Sequence, residues 1–171
     1  MRIRLRPTSP KDIPSIYETE QMEENRVYIL PWEKERHQLS LTDPDIRHLI
    51  VEEADTSRVV GYVILAGLTN PHGSIELLRI TISEKGKGYG RQVLREIKRR
   101  AFHEWGANRL WLDVKEENKR ALQLYLSEGF IMEGKLRECL KTNDRYESLI
   151  VLSLLAREYD GQAGSETSKS L

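Results

Sequence analysis

The residues most suited to chemistry are three glycines set two apart among cations, Lys85-Gly86-Lys87-Gly88-Tyr89-Gly90-Arg91. They lie between an apolar alternating run (75–83) and a helical stripe that starts near residue 90. Glycines there let backbone N–H groups converge on one point without Cβ obstruction. The start of a helix adds unpaired N–H groups and a partial positive charge. The combination suits a phosphate or another anion, and Lys85, Lys87 and Arg91 add formal charge. A P-loop is excluded, because no Gly-Lys-Ser/Thr occurs in the chain. The Rossmann spacing Gly-x-Gly-x-x-Gly is absent here as well. Taken alone, the segment also reads as a tight strand-to-helix turn with solvated lysines.

The elements that must position this turn follow from periodicity. Ile3 and Leu5 share one face of a first strand that Pro7 and Pro10 end. A helix starts near Asp12-Ile13-Pro14, with Ile13, Ile16 and Tyr17 inward. Residues 22–32 read as a loop or an irregular helix pair, and 33–41 as a short polar helix. Strands are expected over 46–52 and 58–65, joined by a turn at 53–57, and over 75–83 after the turn Asn70-Pro71-His72-Gly73. Val93, Leu94, Ile97, Ala101 and Trp105 form one helical stripe, opposite Arg91, Arg95, Lys98 and Arg99, with Gly106 as C-cap. A strand over 109–114, a helix over 118–127 with Ala121, Leu122, Tyr125 and Leu126 inward, and a strand beginning at 130–133 follow. The apolar run 147–155 reads as a central strand covered on both faces. This order predicts an α/β (α+β) mixed sheet with helices on its faces. Residues 1–160 read as a single domain and 161–171, rich in Gly, Ser and Thr, as a disordered tail.

Two segments in order resemble the signatures of the GNAT superfamily of N-acetyltransferases. Lys85 to Gly90 is similar to Arg/Gln-x-x-Gly-x-Gly/Ala, with Lys85 where the family has Arg or Gln. Lysine keeps the charge but not the planar fork. Asn118-Lys119-Arg120-Ala121-Leu122-Gln123-Leu124-Tyr125 resembles Asn-x-x-Ala-x-x-x-Tyr, and Gly129-Phe130 follows it as in the family. The closing segment 146–158 is similar to the branch containing the ribosomal-protein N-terminal acetyltransferases. The resemblance implies a mostly antiparallel sheet of six to seven strands with a splayed parallel pair. It also implies acetyl-CoA as cosubstrate, with its pyrophosphate on Lys85, Gly86, Lys87, Gly88, Tyr89, Gly90 and Arg91. Its pantetheine would lie along Ile80, Thr81 and Ile82, with further contacts from Asn118, Ala121 and Tyr125.

By the same resemblance Tyr125 stands near the sulfur as general acid. From the helix pattern alone it reads as a core aromatic on an inward face. Glu76 would serve as base, directly or through water; a regular strand would put it on the same side as Ile80, and a solvent-facing role is the other reading. Asn118 is also placed as an N-cap. Residues 20–36 are the expected acceptor wall, with Glu20, Glu23, Glu24, Glu33 and Glu35 suited to a cationic amine beside Tyr17, Tyr28 and Trp32. An ordinary polar surface fits the same residues.

Composition narrows the partners. Lys+Arg and Asp+Glu number 27 each, so the net charge is zero, which disfavours nucleic acid as the main partner. No apolar run approaches the ~20 residues of a membrane span, and a cytoplasmic location is expected. The single cysteine, Cys139, excludes an internal disulfide and a zinc site built on Cys spacing, and no metal is expected. His72 and His103 have no triad pattern. The expected partner is an amine acceptor, a protein N-terminus or a small molecule, bound by a monomer or homodimer. The competing class is a non-catalytic acyl-CoA sensor.

Overall fold

Alternating apolar residues build seven strands: β1 (Ile3–Pro7), β2 (Arg47–Glu53), β3 (Val59–Ala66), β4 (Ser74–Ile82), β5 (Arg109–Lys115), β6 (Ile131–Thr142) and β7 (Arg145–Leu155). The structure, a computed structural model, describes residues 2–167. The strands form one sheet in the order β1-β2-β3-β4-β5-β7-β6. Every pairing is antiparallel except β4 with β5. The helices are α1 (Ile13–Gln21), α2 (Glu23–Arg26), α3 (Lys34–Ser40), α4 (Tyr89–Arg99), α5 (Lys119–Ser127) and α6 (Ala156–Thr167). The mixed sheet with one parallel pair is the expected GNAT-like fold.

Two apolar layers cover the sheet. On one face Val93, Leu94 and Ile97 of α4 and Tyr125 of α5 pack on Val63, Leu65, Leu77, Leu110 and Leu112. On the other, Ile16 of α1 and Trp32 pack on Ile50, Tyr62 and Ile64. Ser9 and Asp12 form a capping box ahead of α1, and Pro14 sits in its first turn. These devices satisfy the orphan donors of a helix start.

The structure departs from the sequence reading in five places. The helix starting at residue 89 ends as α at Arg99 and continues as a π-helical segment, Arg100–Glu104, before Gly106 turns it at φ +66°. Lys98 is buried rather than solvated, because its Nζ donates to the Glu128 carbonyl at 2.8 Å and carboxylate at 3.1 Å. In α5, Leu126 is exposed and Leu124 packs inward. Strand β6 continues to Thr142 and forms a long hairpin with β7 through Asn143-Asp144, both at positive φ, as a tight hairpin turn requires. β6 is exposed over most of its length, so no apolar alternation marks it. β7 is accordingly buried only in its second half, at Ile150, Leu152, Ser153 and Leu154. Helix α6 takes in 161–167, part of the expected tail; residues 168–171 lie outside the described residues. Among the described residues no helix is long and apolar enough to cross a membrane.

Candidate functional site

The parallel pair creates the site. β4 and β5 are paired only over Ser74–Glu76 and Arg109–Trp111. Beyond these residues the strands part, and Leu77 to Ile82 keep β3 as their partner on one side only. Alternate backbone N–H and C=O groups of Ile80, Thr81 and Ile82 therefore face the gap without a ladder partner. Such groups are obligatory hydrogen-bonders, so an extended ligand could pair with them as a strand would. The gap opens into a cavity of about 1000 Å³ that runs from the glycine turn past Tyr125 to residues 25–36.

At one end of the cavity lies the glycine turn. Gly86 and Gly88 have φ of +90° and +78°, which only glycine adopts cheaply. A Cβ added at either would meet nothing within 4 Å, so the turn faces open space. Gly88 is the residue before α4, whose first N–H groups point out of the helix start. Gly90 is different: its φ is not positive, and an added Cβ would make only ordinary contact with the Leu124 side chain of α5, at 3.5 Å. The side chains around the turn are less free than the sequence suggests. Lys87 is paired with Glu84, and Arg91 with Glu128. Tyr89 is buried in the core with its hydroxyl on Glu53, so only its backbone faces the turn. Asn118 caps α5, its Oδ1 accepting from the Ala121 N–H at 3.3 Å. Both residues line the cavity.

In the middle stand Tyr125 and two carboxylates. Tyr125 packs edge-on against Phe130, 6.0 Å between ring centres, and lines the cavity. Burial, and the charge of Asp113, push its hydroxyl well above the usual phenol range. It is a proton holder at neutral pH. Glu76 and Asp113 line the same cavity. Burial and the neighbouring Asp113 raise the Glu76 carboxyl to about 7, and burial raises Asp113 too. Two carboxylates that disfavour each other's charge hold a proton near neutral pH and attract a cation.

Glu76 does not share the Ile80 face. The register between β3 and β4 slips by one, from Ile64↔Arg79 to Leu65↔Leu77, so Leu78 is an extra residue. Such a bulge breaks the two-residue period. Ile80 packs into the α4 layer, whereas Glu76, opposite Ala66, stands on the α1 side with Leu78 and Arg79. No feature of the sequence marks this bulge.

At the far end, residues 25–36 wall the cavity, but not with acids. Tyr28, Leu30, Trp32 and Arg36 line it, whereas Glu23, Glu24, Glu33, Glu35 and Tyr17 do not. Glu20 is fully buried and committed. Its carboxylate pairs with Arg79 and accepts from Tyr62 Oη at 2.6 Å and the Trp32 N–H at 2.8 Å, with His37 Nε2 at 3.1 Å. Burial alone would raise its pKa; the hydrogen bonds from His37 and Tyr62, with Arg79 beside them, hold it down at about 2. His37 passes the chain on to His48 at 3.0 Å, and His48 to Thr8 at 2.9 Å. Burial and the neighbouring His37 lower His48 to about 4, so it is neutral at physiological pH. Glu20→Ala is expected to cost about 3–5 kcal/mol, since it strands the buried Arg79 charge; urea unfolding measures it, and a cost under ~1 kcal/mol would show that Arg79 finds water instead.

The profile of the Acetyltransferase (GNAT) family matches residues 13–130. The spermidine N(1)-acetyltransferase of Vibrio cholerae is 31% identical over 114 residues, which are 66% of this chain and just under two thirds, 65%, of that protein. The spermidine N(1)-acetyltransferase of Escherichia coli K12 is 25% identical over 167 residues, 92% of this chain and 88% of that protein. The crystal structure of spermidine N-acetyltransferase from Vibrio cholerae in complex with CoA and spermine superposes with a TM-score of 0.84. It is 26% identical and covers 92% of this chain and 98% of that one.

Proposed function

Since the chain belongs to the GNAT acetyltransferase family, we propose that it transfers the acetyl group of acetyl-CoA to a primary amine of a small polyamine-like cation, by direct attack with both substrates bound. One observation carries this reading: the carboxylates Glu76 and Asp113 stand where β4 and β5 begin to part, in one cavity with Tyr125 and the glycine turn. The names of the spermidine acetyltransferases similar to it support a polyamine over a protein N-terminus as acceptor.

The residues fit the cosubstrate. The open turn at Gly86 and Gly88 and the start of α4 would hold its pyrophosphate, with Lys85, Gly90 and the backbones of Lys87 and Tyr89 completing the turn. Arg91, tied to Glu128, would act through its charge. The free edge of Ile80 to Ile82 would take the amide groups of its pantetheine arm, and Asn118 and Ala121 would flank it. Acetyl-CoA supplies an acyl thioester, the activated form of the group to be moved.

The chain's own residues do the rest. An acceptor amine with a pKa of ~10 arrives as a cation, and Glu76 and Asp113 draw it to the splay. Glu76, at about 7, is basic enough to take its proton and is about half ionised at neutral pH. Tyr125 holds a proton on its hydroxyl in the same cavity, placed to give it to a departing thiolate. The wall of Tyr28, Leu30 and Trp32 excludes water and packs the methylenes of the acceptor.

With Glu76 as base, the rate at low amine rises with pH through about 7, because the carboxyl must lose its proton to work. Glu76→Gln is expected to lower kcat/KM for the amine by roughly 100-fold or more and to remove that limb. A variant that keeps the limb would assign the titration to another group. Initial rates with spermidine, spermine and short peptides bearing free N-termini test the acceptor. Polyamines are expected to be used best; a preference for the peptides would overturn that part of the reading.

A further inference from the structure

The acceptor wall is held in place by two cations, one from each of the parting strands. Arg79 of β4 forks: one arm pairs with Glu20 of α1, and the other donates to the Leu30 carbonyl. Lys115 of β5 donates from Nζ to the Val27 carbonyl at 2.9 Å and to the Glu147 carboxylate of β7 at 2.8 Å. Both cations are buried, with side chains 6% and 4% exposed. Glu20 takes a third backbone group of the same loop, the Trp32 N–H. The stretch from Val27 to Trp32 belongs to no helix or strand. Its Val27, Leu30 and Trp32 backbone groups are thus tied to charged side chains.

We propose that Arg79 and Lys115 are positioning residues that clasp this loop across the splay and thereby set the affinity for the acceptor. The geometry ties the wall to the chemistry. Arg79 follows Glu76 by three residues and stands on its face because of the Leu78 bulge. Lys115 follows Asp113 by two residues on β5, which returns it to the same face. Each strand thus carries one carboxylate at the splay and one cation that fixes the wall facing it. A shift of the wall would change the distance between the bound amine and the carboxylates, and small misplacements of that kind are costly in rate. The inference rests on the reading of this cavity as an amine site, but the clasp itself is testable without turnover.

Two variants probe it. Lys115→Met removes the Val27 tether while Glu147, which reaches solvent, can be hydrated. Arg79→Lys keeps a charge beside Glu20 but lacks the planar fork needed to hold Leu30 as well. Each is expected to raise the KM for spermidine roughly tenfold or more while leaving the KM for acetyl-CoA within about twofold, a loss of uniform acceptor binding. Amide hydrogen exchange over 27–32 is expected to speed up in both, and Lys115→Arg to restore both readouts. Unchanged exchange over 27–32 would overturn the clasp, as would equal increases in both KM values, which mark a general loosening. If the wild-type protein turned over no amine, the amine-site reading would fail, and the exchange result alone would decide the clasp.

Discussion

Gly88→Glu is expected to abolish CoA binding, weakening it by 100-fold or more in calorimetric titration, with little loss of fold stability. Gly88 sits at φ +78° immediately before α4. An L-residue there costs roughly 1–2 kcal/mol of backbone strain, and a Cβ meets no protein atom within 4 Å. The protein should therefore fold. The new carboxylate would occupy the space in front of the helix start and cancel the field that favours an anion. Gly88→Ala separates the two effects, since it adds the strain without the charge, and should weaken binding far less. Equal affinity in the wild type and the glutamate variant would move the cofactor site elsewhere.

Tyr125→Phe is expected to reduce kcat by roughly 100- to 10,000-fold, the range of a general acid, while CoA affinity stays within about twofold. The ring packs on Phe130 within the α5 core, and phenylalanine keeps that contact. Only the hydroxyl is lost. Its raised pKa, set by burial and by Asp113, keeps it protonated across the working pH range, so the wild type should show no alkaline limb from this group near neutrality. A rate equal to the wild type would leave Tyr125 as a core aromatic, which the helix pattern also allowed.

Much of the frame was legible in the residues. The stripe Val93–Leu94–Ile97 and the capping of α5 by Asn118 are local, and local patterns report themselves. So does the glycine turn, because positive φ and an open approach demand glycine at 86 and 88. The two signature segments then tied the turn to Tyr125. What stayed hidden depends on register and on contacts between distant residues. The extra residue at Leu78 moves Glu76 off the Ile80 face, and nothing in Ile75 to Ile82 announces it. Asp113 lay unnoticed inside an alternating strand, although it stands with Glu76 in the cavity. Glu20 looked like one acid among five near the acceptor wall. Its burial against Arg79, 59 residues away, makes it a strut instead. His37 and His48 gave no spacing signal, since their partnership forms only when α3 packs on β2. The long β6–β7 hairpin escaped because β6 buries almost nothing, although Asn143-Asp144 is a turn pair that could have marked it.

The most direct test of the central claim follows the thiol. Purified protein would be mixed with acetyl-CoA alone and with acetyl-CoA plus spermidine. Free CoA thiol would be read continuously and the amine product weighed by mass spectrometry. Thiol release is expected only with the amine present, with one thiol for each acetyl group found on spermidine and a rate that rises through about pH 7 with Glu76. Tight CoA binding with no thiol released by spermidine or any other amine would contradict the claim and make the protein a sensor of acyl-CoA.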